Sequence, residues 1–274
     1  MRIRVVIAAV ALCAAPASAA PAADDIILSG AIEQSALVRG SVPPGTTVSL
    51  DGKPVRVAPD GHFIFGLSRD APAQASLAAT FPDGKSVTRD LTVAARQYEI
   101  QRINGLPPQM VTPAPEVLDR IKREREEIIA ARSTDSGLLF FEIPFEWPIT
   151  GPISGVYGSQ RILNGEPRAP HLGVDVAAPT GTPVHVAASG TVSLAERDLY
   201  FTGGTIIVDH GYGLSTIYQH LSRLDVAAGD KVEQGQVIGA VGATGRVTGP
   251  HLHWGVNWYN TPLDPQRIVG PMPK

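Results

Sequence analysis

The stretch Gly249-Pro250-His251-Leu252-His253-Trp254-Gly255-Val256 decides how this chain is read. Side chains two apart on a β-strand share a face and rise roughly 6 to 7 Å per pair, so His251 and His253 point together into one cavity. Two imidazoles on one face invite a metal. Far upstream, His171-Leu172-Gly173-Val174-Asp175 offers one more nitrogen and one oxygen. Fully extended, His171 and Asp175 would stand roughly 13 Å apart, too far to share an ion whose ligands approach to about 2 Å. Gly173 between them relaxes this by permitting a bend or bulge. The expectation is a zinc site of two histidines and one carboxylate with its fourth position open to water, the arrangement of a catalytic rather than a closed structural centre.

At 274 residues the chain has room for two domains, each with its own core. Arg2 and Arg4 precede the apolar run from Val5 to Ala15, and Ala17-Ser18-Ala19 provides the small residues a signal peptidase needs. Residues 1–19 are therefore expected to be a secretory signal peptide, too short to anchor stably in a bilayer, with the mature protein starting near Ala20. Cys13, the only cysteine, lies inside that leader, so the mature chain is expected to hold neither a disulfide nor a thiolate metal site. Bulky Leu12 and the lack of an upstream spacer argue against Cys13 as a lipid anchor. Formal net charge is −3, and −5 without Arg2 and Arg4; no basic run or stripe occurs, so nucleic acid is not the expected partner. No later segment approaches about eighteen uninterrupted apolar residues, so no further membrane span is expected.

Periodicity divides the chain into mainly β parts. From 24 to 97, short apolar runs alternate with Asp51-Gly52, Asp60-Gly61 and Asp83-Gly84, the pattern of a small antiparallel β-sandwich that resembles an Ig-like module. His62 beside Phe63 reads there as an ordinary strand residue. Residues 98–136 read as a linker with a helix. Asn104-Gly105-Leu106-Pro107-Pro108 interrupts regular structure, and Pro113, Pro115 and Glu116 open a helix to about Arg132. Val117, Leu118, Ile121, Ile128 and Ile129 are expected on its packed side, and Lys122 to Glu127 on a solvated face. From 137 to 274 the Gly, Val, Ile and Thr content and the runs 190–194, 205–209, 214–220, 237–241 and 251–259 predict an all-β catalytic domain.

Six of the seven histidines lie after residue 170, more than core packing calls for. His220 ends an alternating strand and is a candidate functional residue. The common helical zinc-protease and serine-hydrolase motifs are absent, as is a phosphate-loop ending.

Three segments in order, His171-Leu-Gly-Val-Asp175 running on to Pro183, Ser215-Thr-Ile-Tyr-Gln-His220, and Gly235-Gln-Val-Ile-Gly239 followed by Thr244 to His253, resemble the M23 (lysostaphin/LytM-type) zinc peptidases over about 151–265. The resemblance implies that His171, Asp175 and His253 hold Zn²⁺, one per chain, and that His220 and His251 are the catalytic pair. Spacing alone leaves open which of His251 and His253 binds the metal. Zinc lowers the pKa of water from about 15.7 to near 7, and an imidazole can take or give the proton. Many members carry an acidic residue where Gly255 stands, which puts substrate contacts near Trp254 in question. His185 and His210 fill no ligand slot.

The implied function is an exported endopeptidase, periplasmic or extracellular, that cuts the peptide cross-links of peptidoglycan. Arg161, Arg168 and Arg246 flank the motifs and are candidates to pair with stem-peptide carboxylates, ordinary surface arginines being the alternative. The rival is a non-catalytic regulator or wall-binding protein that activates other hydrolases; the full set of ligands and catalytic histidines favours the enzyme.

Overall fold

The structure is a computed structural model that describes residues 25–104 and 112–273. The expected leader, 1–19, and the Pro107-Pro108 part of the linker lie outside the described residues.

Seven strands come first among the described residues: β1 (Ile27–Ser29), β2 (Leu37–Ser41), β3 (Thr47–Leu50), β4 (Lys53–Val55), β5 (His62–Gly66), β6 (Gln74–Thr80) and β7 (Ser86–Thr92). They form two antiparallel sheets, ordered β1-β2-β5 and β4-β3-β6-β7. Asp51 and Gly52, at φ 49° and 73°, make the tight reversal between β3 and β4, a pairing that lacks an apolar signature and was not expected. Val38, Phe63 and Phe65 from one sheet and Val48, Leu50, Leu77 and Leu91 from the other share a core.

β5 is buried on both faces. Phe63 and Phe65 point into that core, while Ile64 between them joins the core of the C-terminal half, as does Leu37 beside Val38. The two halves are therefore packed together. Gly66 lies so close to Trp258 and Leu263 that a Cβ would meet them at 3.0 and 2.9 Å. An Arg96–Asp264 ion pair at 2.8 Å, with Asp264 4 % exposed, crosses the same seam.

The 98–112 segment is not all linker. Ile100–Ile103 forms β8, which pairs in parallel with β10 (Gln160–Leu163); β10 pairs in turn with β11 (Glu166–Pro167). Main-chain hydrogen bonds hold this edge strand, and they need no alternation of side chains.

Helix α1 (Leu118–Arg132) follows a 3₁₀ turn at Pro115–Val117 that begins with the proline. Its packed side carries Ile128 and Ala131, set on Leu194, Ile207 and Ile217. Leu118 and Ile129, expected there, are 51 % and 39 % exposed. Glu124, expected in solvent, accepts a 2.7 Å hydrogen bond from Tyr200 N, and Arg120 reaches the Asp198 carbonyl. These polar contacts set the rotation of the helix, overriding an apolar stripe too broad to choose one face.

Apart from β10 and β11, the strands of the C-terminal half form one ten-stranded sheet. Its main path runs β17 (Lys231–Val232), β14 (Gly190–Leu199), β15 (Gly203–Gly211), β16 (Leu214–Leu224), β19 (His251–Trp258), β12 (Val174–Ala177), β9 (Ile153–Gly155). β18 (Val237–Val241) joins β13 (Pro183–His185) to β16, and β20 (Thr261–Leu263) pairs with β19. All nine residues of β15 are buried, Thr205, Asp209 and His210 among them, so only its centre, Ile206-Ile207-Val208, reads as an apolar run. One short helix, α2 (Gln266–Val269), qualifies the all-β expectation.

Candidate metal centre

β19 lies between β16 and β12, with His253 opposite Asp175 on one side and opposite Gln219 on the other. His251 and His253 share a face of β19, as their spacing requires. His171 sits just before β12, and the chain bends at Gly173 so that its ring returns toward Asp175. A Cβ on Gly173 would fall 2.5 Å from His253 Nε2, so the bend also makes room for that imidazole.

Three atoms converge. His171 Nε2 is 2.9 Å from Asp175 Oδ1 and 2.9 Å from His253 Nδ1, and His253 Nδ1 is 2.8 Å from Asp175 Oδ1. His171 Nδ1 donates to the Val156 carbonyl at 3.0 Å, which leaves a lone pair on Nε2 of the neutral ring. A proton on His253 Nδ1 would satisfy its contact with Asp175 but leave His171 Nε2 facing Asp175 Oδ1, lone pair to lone pair. Short of charging an imidazole, only a cation among the three relieves all the edges, and two nitrogens with one carboxylate oxygen suit zinc. His251 Nε2, 3.8 Å from Asp175 Oδ1, stands outside the triangle.

Burial works against the charge on Asp175, yet its contacts with His171 and His253 outweigh burial and hold the carboxyl far below the usual carboxylate range. Arg161 Nη2 approaches its other oxygen at 3.3 Å. Burial, the largest influence, pushes His253 down to about 4 against the upward pull of Asp175.

The His220 and His251 rings lie beside each other with centroids 4.9 Å apart. His220 adopts φ 66°, where a bulge in β16 shifts its register against β15. This left-handed backbone costs about 1–2 kcal/mol for a residue with a Cβ. Its amide is tied to Thr202 O at 2.8 Å, and its Nδ1 donates to Thr244 O at 2.9 Å. His251 Nδ1 likewise donates to Gly249 O at 2.8 Å. Each ring therefore keeps its Nε2 lone pair for other work. Burial, then the nearby His253 and His251, lower His220 to about 3.

A cleft of about 510 Å³ opens over these five residues. Its walls include Gln101 from β8 and Phe201 and Thr202 from the β14–β15 turn. None of these, nor the carbonyls of Val156, Thr244 and Gly249, was anticipated; a backbone carbonyl has no residue signature. His210 is fully buried elsewhere, bonded to Ser189 O and Thr216 Oγ1, each at 2.8 Å, and His185 is exposed. Trp254 is wholly buried with its ring 5.6 Å from that of Trp147, so it makes no wall of the cleft.

Residues 169–265 match peptidase family M23. The chain is 41 % identical over 104 residues to the DD-carboxypeptidase/endopeptidase Mpg of Neisseria meningitidis and 42 % identical over 104 residues to the peptidoglycan DD-endopeptidase ShyA of Vibrio cholerae. Each match takes in 38 % of this chain and 24 % of the relative, so the chain spans about a quarter of the length of the curated relatives it matches. A crystal structure from Pseudomonas aeruginosa, assigned to peptidase M23, superposes with a TM-score of 0.68 at 31 % identity, covering 87 % of this chain and 95 % of that one. Since that likeness takes in most of both chains, and the segment carrying the converging histidines matches on its own, this chain belongs to peptidase family M23.

Proposed function

We propose that the chain is an exported, zinc-dependent endopeptidase that hydrolyses peptide cross-links of peptidoglycan. The observation that carries this reading is the triangle of His171 Nε2, Asp175 Oδ1 and His253 Nδ1 at the foot of one cleft, with two further imidazoles beside it. His171, Asp175 and His253 hold the metal, whose Lewis acidity brings the pKa of water from about 15.7 to near 7.

The chain's own groups do the rest. His220 and His251, each with Nδ1–H fixed on a carbonyl, accept a proton at Nε2 and become donors there only after taking it. One such proton ends on the departing amine as the C–N bond breaks, and the acyl carbon gains hydroxyl. The strained backbone of His220 and the tie of its amide to Thr202 keep the ring aimed at the cleft. Substrate class follows from the relatives named as peptidoglycan DD-endopeptidases, and export from the leader-like residues 1–19. Among the described residues, no helix is long and apolar enough to cross a membrane.

The test is mass spectrometry of purified sacculi treated with the zinc-loaded protein. Expected are products with new amine and carboxyl ends at the cross-links, lost on chelation. His220→Ala or His251→Ala should abolish cleavage with zinc still bound, whereas Asp175→Ala should lose the metal. Wild-type cleavage by the His220 variant would overturn the assigned role.

A further inference from the structure

Three arginines of the cleft take no direct part in the chemistry above, although Arg161 touches the second oxygen of Asp175. Arg161 on β10, Arg168 just after β11 and Arg246 before β19 all line it, and among the described residues Asp175 is the only carboxylate that does. Asp175 is committed to the centre. The Arg246 guanidinium lies 4.3 Å over the Phe201 ring. Desolvation, then the charges of Arg161 and Arg168, hold it below the ordinary arginine value, so the three cations feel one another. Arg168 Nη2 donates to a neutral partner, Thr112 Oγ1, at 3.2 Å. The Nε atoms of Arg161 and Arg168 are buried with no acceptor among the described residues. Buried donors without acceptors are costly, and like charges gathered in one cleft repel. An anion in the cleft offsets the repulsion and gives these guanidinium groups an acceptor.

We propose that Arg161, Arg168 and Arg246 form a carboxylate subsite beside the metal centre, which selects cross-linked peptides bearing a free carboxylate next to the scissile amide. A guanidinium fork matches the two oxygens of a carboxylate, whereas a carboxamide turns an NH₂ group toward the same donors. A glycine bridge has no such group at all. The substrate rests on the hydrolase reading; the charge preference of the cleft does not.

Two synthetic cross-linked peptides test it, identical except that the carboxylate on the carbon bearing the scissile nitrogen is free in one and a carboxamide in the other. For the zinc-loaded full chain, kcat/KM should favour the free carboxylate about tenfold or more, the scale of a charge-assisted hydrogen bond. The ratio should fall toward one in Arg168→Gln and in Arg246→Gln; Arg161 is spared because it touches Asp175. A wild-type ratio near one, or a ratio unmoved in both variants, overturns the subsite. Calorimetric titration of the metal-free full chain with the same two peptides reads the preference without turnover. If neither peptide is cleaved but the carboxylate form binds about tenfold tighter, the subsite stands and the hydrolase reading falls. Equal binding of the two forms overturns the subsite whatever the activity.

Discussion

Replacing Gly173 by alanine should release zinc while leaving the fold in place. The φ of Gly173 is not in the left-handed region, so alanine can adopt its backbone and the effect comes from one methyl group. That methyl would lie 2.5 Å from His253 Nε2, 2.6 Å from its Cε1 and 2.7 Å from Trp254 O. A carbon at such range must recede by roughly 1 Å to reach the ordinary contact distance of about 3.5 Å. The carbonyl of Trp254 is held in the sheet and does not recede, so the imidazole and the backbone around Gly173 both shift. Zinc sites tolerate about 0.2 Å in their ligand distances, and a shift several times larger takes His253 out of the set. Mutations that merely misorient a ligand cost about 10- to 100-fold in affinity, so at least this loss is expected. Overpacking should cost the metal-free protein about 1–3 kcal/mol, a fall in Tm of several degrees. Competition against a chromophoric chelator gives the affinity, and circular dichroism with a thermal melt of the metal-free protein reports the fold. Zinc affinity within twofold of wild type would refute the reasoning, because the ring would then have another way to stay.

Two further predictions concern stability. His210, fully buried and lowered by that burial to about 4, binds its proton more weakly when folded than at its ordinary value of 6.5. Its contribution is therefore complete above pH 6.5 and is lost as pH falls toward 4, by about 3 kcal/mol in all. Denaturant titrations of metal-free wild type and His210→Gln across that window should diverge by this amount in their pH dependence, and parallel curves would contradict it. Glu124→Ala should cost about 1–3 kcal/mol by stranding Tyr200 N, whereas Leu118→Ser on the same helix should stay within about 0.5 kcal/mol. Equal losses in the two would show that the helix docks by its apolar stripe.

Much of the site was legible because its chemistry is local in sequence. The two-residue spacing of His251 and His253 forces a common face on any strand, and a glycine between His171 and Asp175 is a place where the chain can fold back. Asp-Gly pairs announced the turn between β3 and β4, although not the pairing of β4 itself. Which of the two β19 histidines enters the triangle depends on strand register: His253 stands opposite Asp175, while His251 stands opposite Ala177. A register of that kind is a relation between distant segments, and neither segment carries it alone. The same holds for β8, read as linker until β10 supplied it with hydrogen-bond partners.

What the amino-acid sequence by itself determined was the set of groups and their local geometry: the alternating histidines, the bend, the turns and the runs of apolar residues that become strands. Tertiary structure alone decided which faces those runs present, as in β5, whose Ile64 serves one core and whose Phe63 and Phe65 serve another. It also decided the tautomers of His171 and His220, each fixed by a carbonyl brought up from another part of the chain, whereas His251 is fixed locally by Gly249. The physical reason is that side-chain chemistry is written in residue identity, whereas every residue has the same carbonyl, and only the fold determines which one a ring will meet.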